Sequence, residues 1–392
     1  MKHGEMRMNF YNWLSEQSKG KIAVAMDGDF DESKHKREGK GKETGGQFTI
    51  TPKGAEKVEV SESDASREIE LPNGRKIPRA MRRFFSDENG NMQNQWYSRF
   101  LKKQKGNGTI SREFAEVLDR LLLKGEDVAD SEIEGLKEWK EALEVEQKTV
   151  AALRNKYGVE RTIDIETPER NKLRESILKA AMTPHITKTV PIEGLDGVMF
   201  ETNEGLGDDE SYDVEKGHTV CIAIGLPAAG KSTTFANPLA KKYKARLCDS
   251  DTIKKVLPEF ANGYGGNLVH DESTLLNEEI LRRSLQNGDN VVYPILGFKP
   301  EKLKGAIDFF HNNGYKVKLC FKDMPPHIAK GRMLVRFLEK GRYLPLRCIS
   351  KAAGKLEGSF NANKGLAEEY QRRTGDPYGG EDTILENKGD IL

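Results

Sequence analysis

The stretch Gly225-Leu-Pro-Ala-Ala-Gly-Lys-Ser232 constrains this chain more than any other. It has the form G-x-x-x-x-G-K-[ST], a loop that works only between a buried strand and the start of a helix. The flanks meet that demand. Thr219-Val-Cys-Ile-Ala-Ile224 is short, apolar and β-branched, as a buried parallel strand is. Thr233-Thr-Phe-Ala-Asn-Pro-Leu-Ala-Lys-Lys242 can open a helix. Gly225 and Gly230 let the backbone turn tightly and approach a phosphate with no side chain in the way. The loop N–H groups and the helix dipole favour an anion there. Gly225, Leu226, Pro227, Ala228, Ala229, Gly230, Lys231, Ser232 and Thr233 are therefore the candidate nucleotide-binding residues. Lys231 is placed to reach the β- and γ-phosphates, and the Ser232 hydroxyl to help hold a magnesium ion.

The residues after the loop continue the alternation of strand and helix. Ala245-Arg-Leu-Cys-Asp249 reads as a second strand, which delivers Asp249-Ser-Asp-Thr-Ile-Lys254 to its C-terminal end. Ligands of open α/β sheets bind at that edge. A carboxylate there, Asp251, can accept a proton from a substrate hydroxyl or orient magnesium; it can equally cap the next helix. Leu275, Leu276, Ile280, Leu281 and Leu285 form a helical stripe, with Glu278 off its centre; periodicity alone turns that glutamate to solvent. Asn290 to Leu296 and Tyr315 to Phe321 read as the third and fourth strands, giving a parallel sheet with helices on both faces. A basic helix over 327–340 carries Arg332 and Arg336, and Gly341-Arg-Tyr-Leu-Pro345 follows. Arginines there can neutralise charge on a transferring phosphate, whereas Arg332 reads as part of a solvated face.

The earlier half is organised differently. Residues 1–80 read as a flexible or partly ordered region, with a basic run at Lys34, Lys36, Arg37, Lys40 and Lys42 that suits a solvated linker. Val58 to Leu71 alternates in part, and Pro72-Asn-Gly74 can close a hairpin. Residues 81–185 read as a small helical domain. Phe114, Val117, Leu118, Leu121 and Leu122 mark one buried stripe, and Ser131 can cap the next helix. Leu136, Trp139, Leu143, Val150, Leu153 and Tyr157 mark a second stripe, and Thr167-Pro168 is a cap and first-turn pair for a third helix. The aromatics Trp96, Tyr97, Phe100 and Trp139 suit core packing. Residues 186–217 read as a linker with one strand near Gly197 to Thr202, residues 218–375 as the phosphate-binding domain, and 376–392 as a tail.

Composition narrows the function. With 63 Lys and Arg against 62 Asp and Glu, the net charge is +1, which argues against a chain-wide nucleic-acid or membrane surface. No apolar run approaches the roughly 20 residues of a membrane span, and Met1 to Gly20 has no secretory pattern. Cys221, Cys248, Cys320 and Cys348 form no C-x-x-C pair; buried thiols in a reducing cytoplasm fit them.

Taken in order, Gly225–Ser232, Asp249-Ser-Asp-Thr-Ile-Lys254, the helix with Glu278, Gly314-Tyr315, Met324-Pro325, Arg336 and Gly341-Arg342-x-x-Pro345 resemble the zeta-toxin family of P-loop kinases, over about residues 218–350. The resemblance implies an α/β P-loop kinase domain with a parallel sheet, using ATP and Mg2+. It implies transfer of the γ-phosphate to a small-molecule acceptor, a nucleotide sugar such as UDP-N-acetylglucosamine, with NAD the acceptor of one related group. By position it implies Lys231 and Ser232 at the phosphates and magnesium, Asp251 as the base, Asp249 and Glu278 at the substrate, and Arg336 and Arg342 on the triphosphate. It further implies an antitoxin partner, and cis-inhibition by the fused helical region is the corresponding expectation for this chain. One departure stands out: where the family places a glutamate and a small hydroxyl residue after the third strand, this chain reads Tyr293-Pro-Ile-Leu-Gly297. A polynucleotide 5′-hydroxyl kinase and a non-catalytic nucleotide-binding module of a mobile element are the rival readings.

Overall fold

The computed structural model describes residues 68–70, 76–78, 111–122, 125–340, 344–374 and 382–392. The basic run at 34–42, the aromatics Trp96, Tyr97 and Phe100, and Arg342 lie outside the described residues. Strands β1 (Glu68–Glu70) and β2 (Lys76–Pro78) pair antiparallel, Ile69 opposite Ile77; the rest of the stretch expected to form a hairpin, 58–67, and Pro72-Asn-Gly74 lie outside the described residues.

Among the described residues, four α-helices follow. Helix α1 (Arg112–Leu122) buries Phe114, Val117, Leu118, Leu121 and Leu122, the stripe that its spacing predicts. Helix α2 (Asp130–Glu134) starts one residue before Ser131, and its N-cap is Ala129 with no side-chain bond, so the expected serine cap is not made. Helix α3 (Lys137–Tyr157) ends where Gly158 turns left-handed at φ 71°. Helix α4 (Pro168–Ala181) starts as expected: the Thr167 hydroxyl accepts the Arg170 N–H at 3.1 Å, and Pro168 fills the first turn.

The stretch expected to be mostly linker folds into two small antiparallel ribbons. Strand β3 (His185–Ile186) pairs with β6 (Tyr212–Asp213), and β4 (Thr189–Pro191) with β5 (Met199–Glu201). The six-stranded sheet then begins with β7 (Thr219–Gly225). A π-type turn at Ser232–Ala236 leads into α5 (Asn237–Lys242). Pro238 explains the wide turn, because it has no N–H to give the carbonyl four residues back. Next come β8 (Arg246–Leu247), α6 (Ser250–Lys254), α7 (His270–Asn287), β9 (Val291–Ile295), α8 (Pro300–Asn312), β10 (Lys316–Asp323), α9 (Pro326–Lys340), α10 (Arg347–Ser350) and α11 (Leu356–Asn363). Strands β11 (Glu369–Thr374) and β12 (Thr383–Lys388) complete the order β12-β11-β10-β7-β9-β8, parallel except for β12. The expected tail thus supplies an edge strand, and Ile391 beyond it is fully buried against Cys221, Cys320 and the α5 face. Burial pushes the Cys221 and Cys248 thiols up to about 12, as inert core residues. Among the described residues, no helix is long and apolar enough to cross a membrane.

The helices before the sheet do not stand apart from it. One continuous apolar core runs from Phe114 and Trp139 through Ile177 to Ile222, Leu319 and Phe360. At its centre Phe337 of α9 lies 5.2 Å from the Trp139 ring, 6.5 Å from Phe114 and 6.4 Å from Tyr264, centroid to centroid. Lys330 of α9 donates to Asp127 at 2.9 Å and to the Val128 carbonyl at 2.8 Å. Cutting the chain near residue 190 would therefore expose apolar core.

The α1–α9 contact depends on Gly331. A side-chain carbon there would lie 2.5 Å from Leu122 Cδ2 and 2.6 Å from its Cγ. Gly331→Ala gains about 1 kcal/mol of helix propensity but overpacks this seam, which typically costs about 1–3 kcal/mol. The expected result is a lower melting temperature, checked by thermal unfolding; a higher one would show that Leu122 can yield.

Candidate functional site

The phosphate loop is built from the end of β7. Gly225 has φ 151°, and a side-chain carbon on it would meet the Lys322 carbonyl oxygen at 2.7 Å. Only glycine lets the two central strands close up at this edge. The Gly225 N–H donates to the Leu296 carbonyl at 3.3 Å, which ties the loop to the end of β9. Ala228 takes a left-handed φ of 59°, at a cost of about 1–3 kcal/mol, and Gly230 has φ 90°. The Thr234 N–H returns to the Gly230 carbonyl at 2.9 Å, which starts the helix. The Lys231 ammonium folds into the cradle, donating to the Gly225 carbonyl at 2.6 Å and the Leu226 carbonyl at 3.1 Å.

The second element brings the acidic pair. Asp249 follows β8, and its Oδ1 accepts the Asp251 N–H at 2.9 Å, capping α6. The capping role that the sequence left open for Asp251 therefore belongs to Asp249. The Asp251 carboxylate meets the buried Lys254 ammonium at 3.1 Å. Helix α7 packs on α6 and brings Glu278, which is only 4% exposed. The solvent-facing position that periodicity gave Glu278 is thus overturned. The cause is tertiary: α7 lies among α4, α6 and the core, and buries Glu272 and Glu279 as well. Tyr293, on β9, is also buried.

The third element is α9. Arg332 and Arg336 are both half-buried and stand one helical turn apart. Arg332 is not the solvated residue that its sequence context suggested: its Nη1 lies 3.5 Å from the Ala229 carbonyl, at the rim of the loop. It lies there because α9 follows β10 after a tight Met324-Pro325 link and β10 neighbours β7. The sequence reading also missed Lys322, at the C-terminal end of β10, opposite Gly225 in the sheet register. A lysine closing an apolar strand was the available signal, since ligands gather at that edge.

A model of the family described as Zeta toxin matches residues 204–374, from just before β6 to the end of β11. Among curated proteins nothing matches the chain. Among solved structures, one from the PezAT chromosomal toxin-antitoxin system of the human pathogen Streptococcus pneumoniae is 16% identical, with TM-score 0.34, covering 45% of this chain and 74% of that one. The AvrRxo1-ORF1:-ORF2 structure with ATP is 18% identical, with TM-score 0.41, covering 57% of this chain and 68% of that one.

Proposed function

We propose that this chain, whose residues 204–374 are a domain of the zeta-toxin family, is an ATP-dependent phosphotransferase acting on a hydroxyl of a small metabolite of the nucleotide-sugar class. The observation that carries this reading is the glycine cradle holding the Lys231 ammonium, in a sheet whose strand β8 leads into the acidic element that starts at Asp249. The cradle suits a polyphosphate: its glycines leave the backbone bare, and its cation already sits among acceptor oxygens.

In this reading the loop from Gly225 to Thr233 binds ATP, and Lys231 exchanges its carbonyl partners for phosphate oxygens. Ser232 is the residue that would hold Mg2+, which when bound offsets phosphate charge. Asp251 takes the proton of the acceptor hydroxyl. Arg336 and Arg342, with Arg332 at the loop rim, offset charge on the transferring group. Asp249 and Glu278 shape the acceptor side, and the stretch Tyr293-Pro-Ile-Leu-Gly297 carries no carboxylate where the family has its sugar-holding glutamate. Depletion of such a metabolite in the cytoplasm would stop growth, so an antitoxin partner belongs to the same reading.

The test is transfer of label from γ-labelled ATP with Mg2+ to UDP-N-acetylglucosamine, other nucleotide sugars, NAD and a short oligonucleotide, with Lys231→Ala as control. A labelled metabolite, absent with the control, is the expected result. Label on the oligonucleotide end would replace the reading with a polynucleotide kinase. ATP binding without transfer to any acceptor would leave a nucleotide-binding module.

A further inference from the structure

Lys322 is a buried charge that the proposed chemistry does not use. It is 2% exposed, on the second of the two central strands, with its side chain running beside the loop glycines. Its Cβ lies 3.3 Å from where a side-chain carbon on Gly225 would stand, and its Cε 4.0 Å from the same point on Gly230. Burial pulls its ammonium below the ordinary lysine range, as do the Arg332 and Arg373 charges; Asp382 opposes them. The partner comes from far along the chain. The Lys322 ammonium pairs with Asp382 Oδ1, just before edge strand β12. The other oxygen, Asp382 Oδ2, accepts the Thr234 hydroxyl at 2.6 Å. Thr234 is in the first turn after the phosphate loop, two residues past Ser232.

One carboxylate therefore joins three elements: the end of β10, the edge of β12 and the first turn of the loop helix. That turn supplies the N–H groups that would face a phosphate. It is also irregular, because Pro238 denies it a regular α-helical bond, so its position depends on outside ties. We propose that Asp382 and Thr234 are positioning residues for the phosphate loop, and that the C-terminal strand thereby sets the affinity for the nucleotide. This inference rests on the reading of the loop as an ATP site. Asp382 anchors to the Lys322 ammonium, which is itself buried and fixed, and passes that fixed position to the loop helix through the Thr234 hydroxyl.

The test uses the full chain and measures ATP binding with Mg2+ by calorimetry, and steady-state transfer where an acceptor is found. Thr234→Val removes the hydroxyl at nearly constant volume. It is expected to weaken ATP by about ten-fold, the worth of a hydrogen bond to a charged group. KM for ATP rises, and kcat and KM for the acceptor hold. Thr234→Ser keeps the hydroxyl and should stay within about two-fold of the parent, since the bond is retained. Asp382→Ala should weaken ATP at least as much as Thr234→Val, and the double variant Thr234→Val/Asp382→Ala should be no weaker than Asp382→Ala alone, because both act through one link. ATP binding by Thr234→Val equal to the parent's would overturn the inference. So would equal losses for valine and serine, which would make it a matter of packing, and so would fully additive losses. Lys231→Ala separates the levels. If the parent binds ATP and Lys231→Ala does not, the site reading stands whatever Thr234 does; if the parent binds none, both fall.

Discussion

Asp251→Asn is expected to lower phosphate transfer by about 10²- to 10⁴-fold, the usual range for a lost general base, while ATP still binds. Asparagine keeps the size of the side chain but cannot take up the acceptor's proton. The backbone should hold, because the N-cap of α6 is Asp249, whose Oδ1 accepts the Asp251 N–H at 2.9 Å whichever side chain position 251 carries. Lys254, 3.1 Å from the Asp251 carboxylate, keeps an oxygen to donate to. The complementary change, Asp249→Ala, removes the cap and should cost roughly 1 kcal/mol of stability, with activity falling through a misplaced α6. Single-turnover transfer alongside calorimetric ATP binding separates the two. A loss below about ten-fold for Asp251→Asn would remove it as the base and turn attention to Glu278, the buried carboxylate on the helix packed against α6.

The parts of this site that could be read in the sequence are those made by neighbours along the chain. The phosphate loop, its strand and the Asp249–Asp251 element each lie within a few residues, so spacing alone places them. Thr167-Pro168 and Gly158 mark helix ends for the same reason. What spacing does not carry is which strand lies beside which. Lys322 meets Gly225 because β10 pairs with β7, and Asp382 meets Thr234 across 148 residues. Strands β11 and β12 escaped notice because Glu369-Tyr-Gln-Arg-Arg-Thr374 and Thr383–Lys388 have little apolar alternation; β12 is an edge with mostly exposed side chains. An apolar stripe says that a helix face is covered without saying by what. The stripes of α1 and α3 fitted a separate bundle, yet Trp139 and Phe114 close on Phe337 of the helix that also carries Arg332 and Arg336. Glu278 erred the other way: a polar residue off the stripe is buried because three elements surround α7.

Glu272→Gln is expected to destabilise the protein by about 3–5 kcal/mol, the cost of breaking a buried ion pair from one side, or roughly 10 °C in melting temperature for a body of this size. Glu272 is fully buried on α7 and receives two arginines from α4. Arg170 grips it through two nitrogens, its Nε at 2.8 Å, and turns Nη1 to Glu259 at 2.9 and 3.0 Å. Arg174 donates to it at 2.7 Å and to the Thr162 and Ile163 carbonyls at 3.2 and 3.1 Å. Burial pushes the Glu272 carboxyl up, but the bonds and charge of Arg170, with the charge of Arg174, outweigh it and hold the group below the usual carboxylate range. A depressed carboxylate stabilises the fold above its unfolded pKa, and that contribution is lost as pH falls through the folded value. The parent should therefore lose stability on acidification below the ordinary carboxylate range, and Glu272→Gln should lack that part of the slope. The same change bears on function, because α7 also carries Glu278, six residues on, against the element of Asp251. Loosening the α4 clamp should lower transfer at temperatures where the variant is still folded. Melting curves across pH with transfer rates at low temperature test both halves. A variant that melts with the parent at neutral pH would show that the arginines find other partners and that α4 does not hold α7.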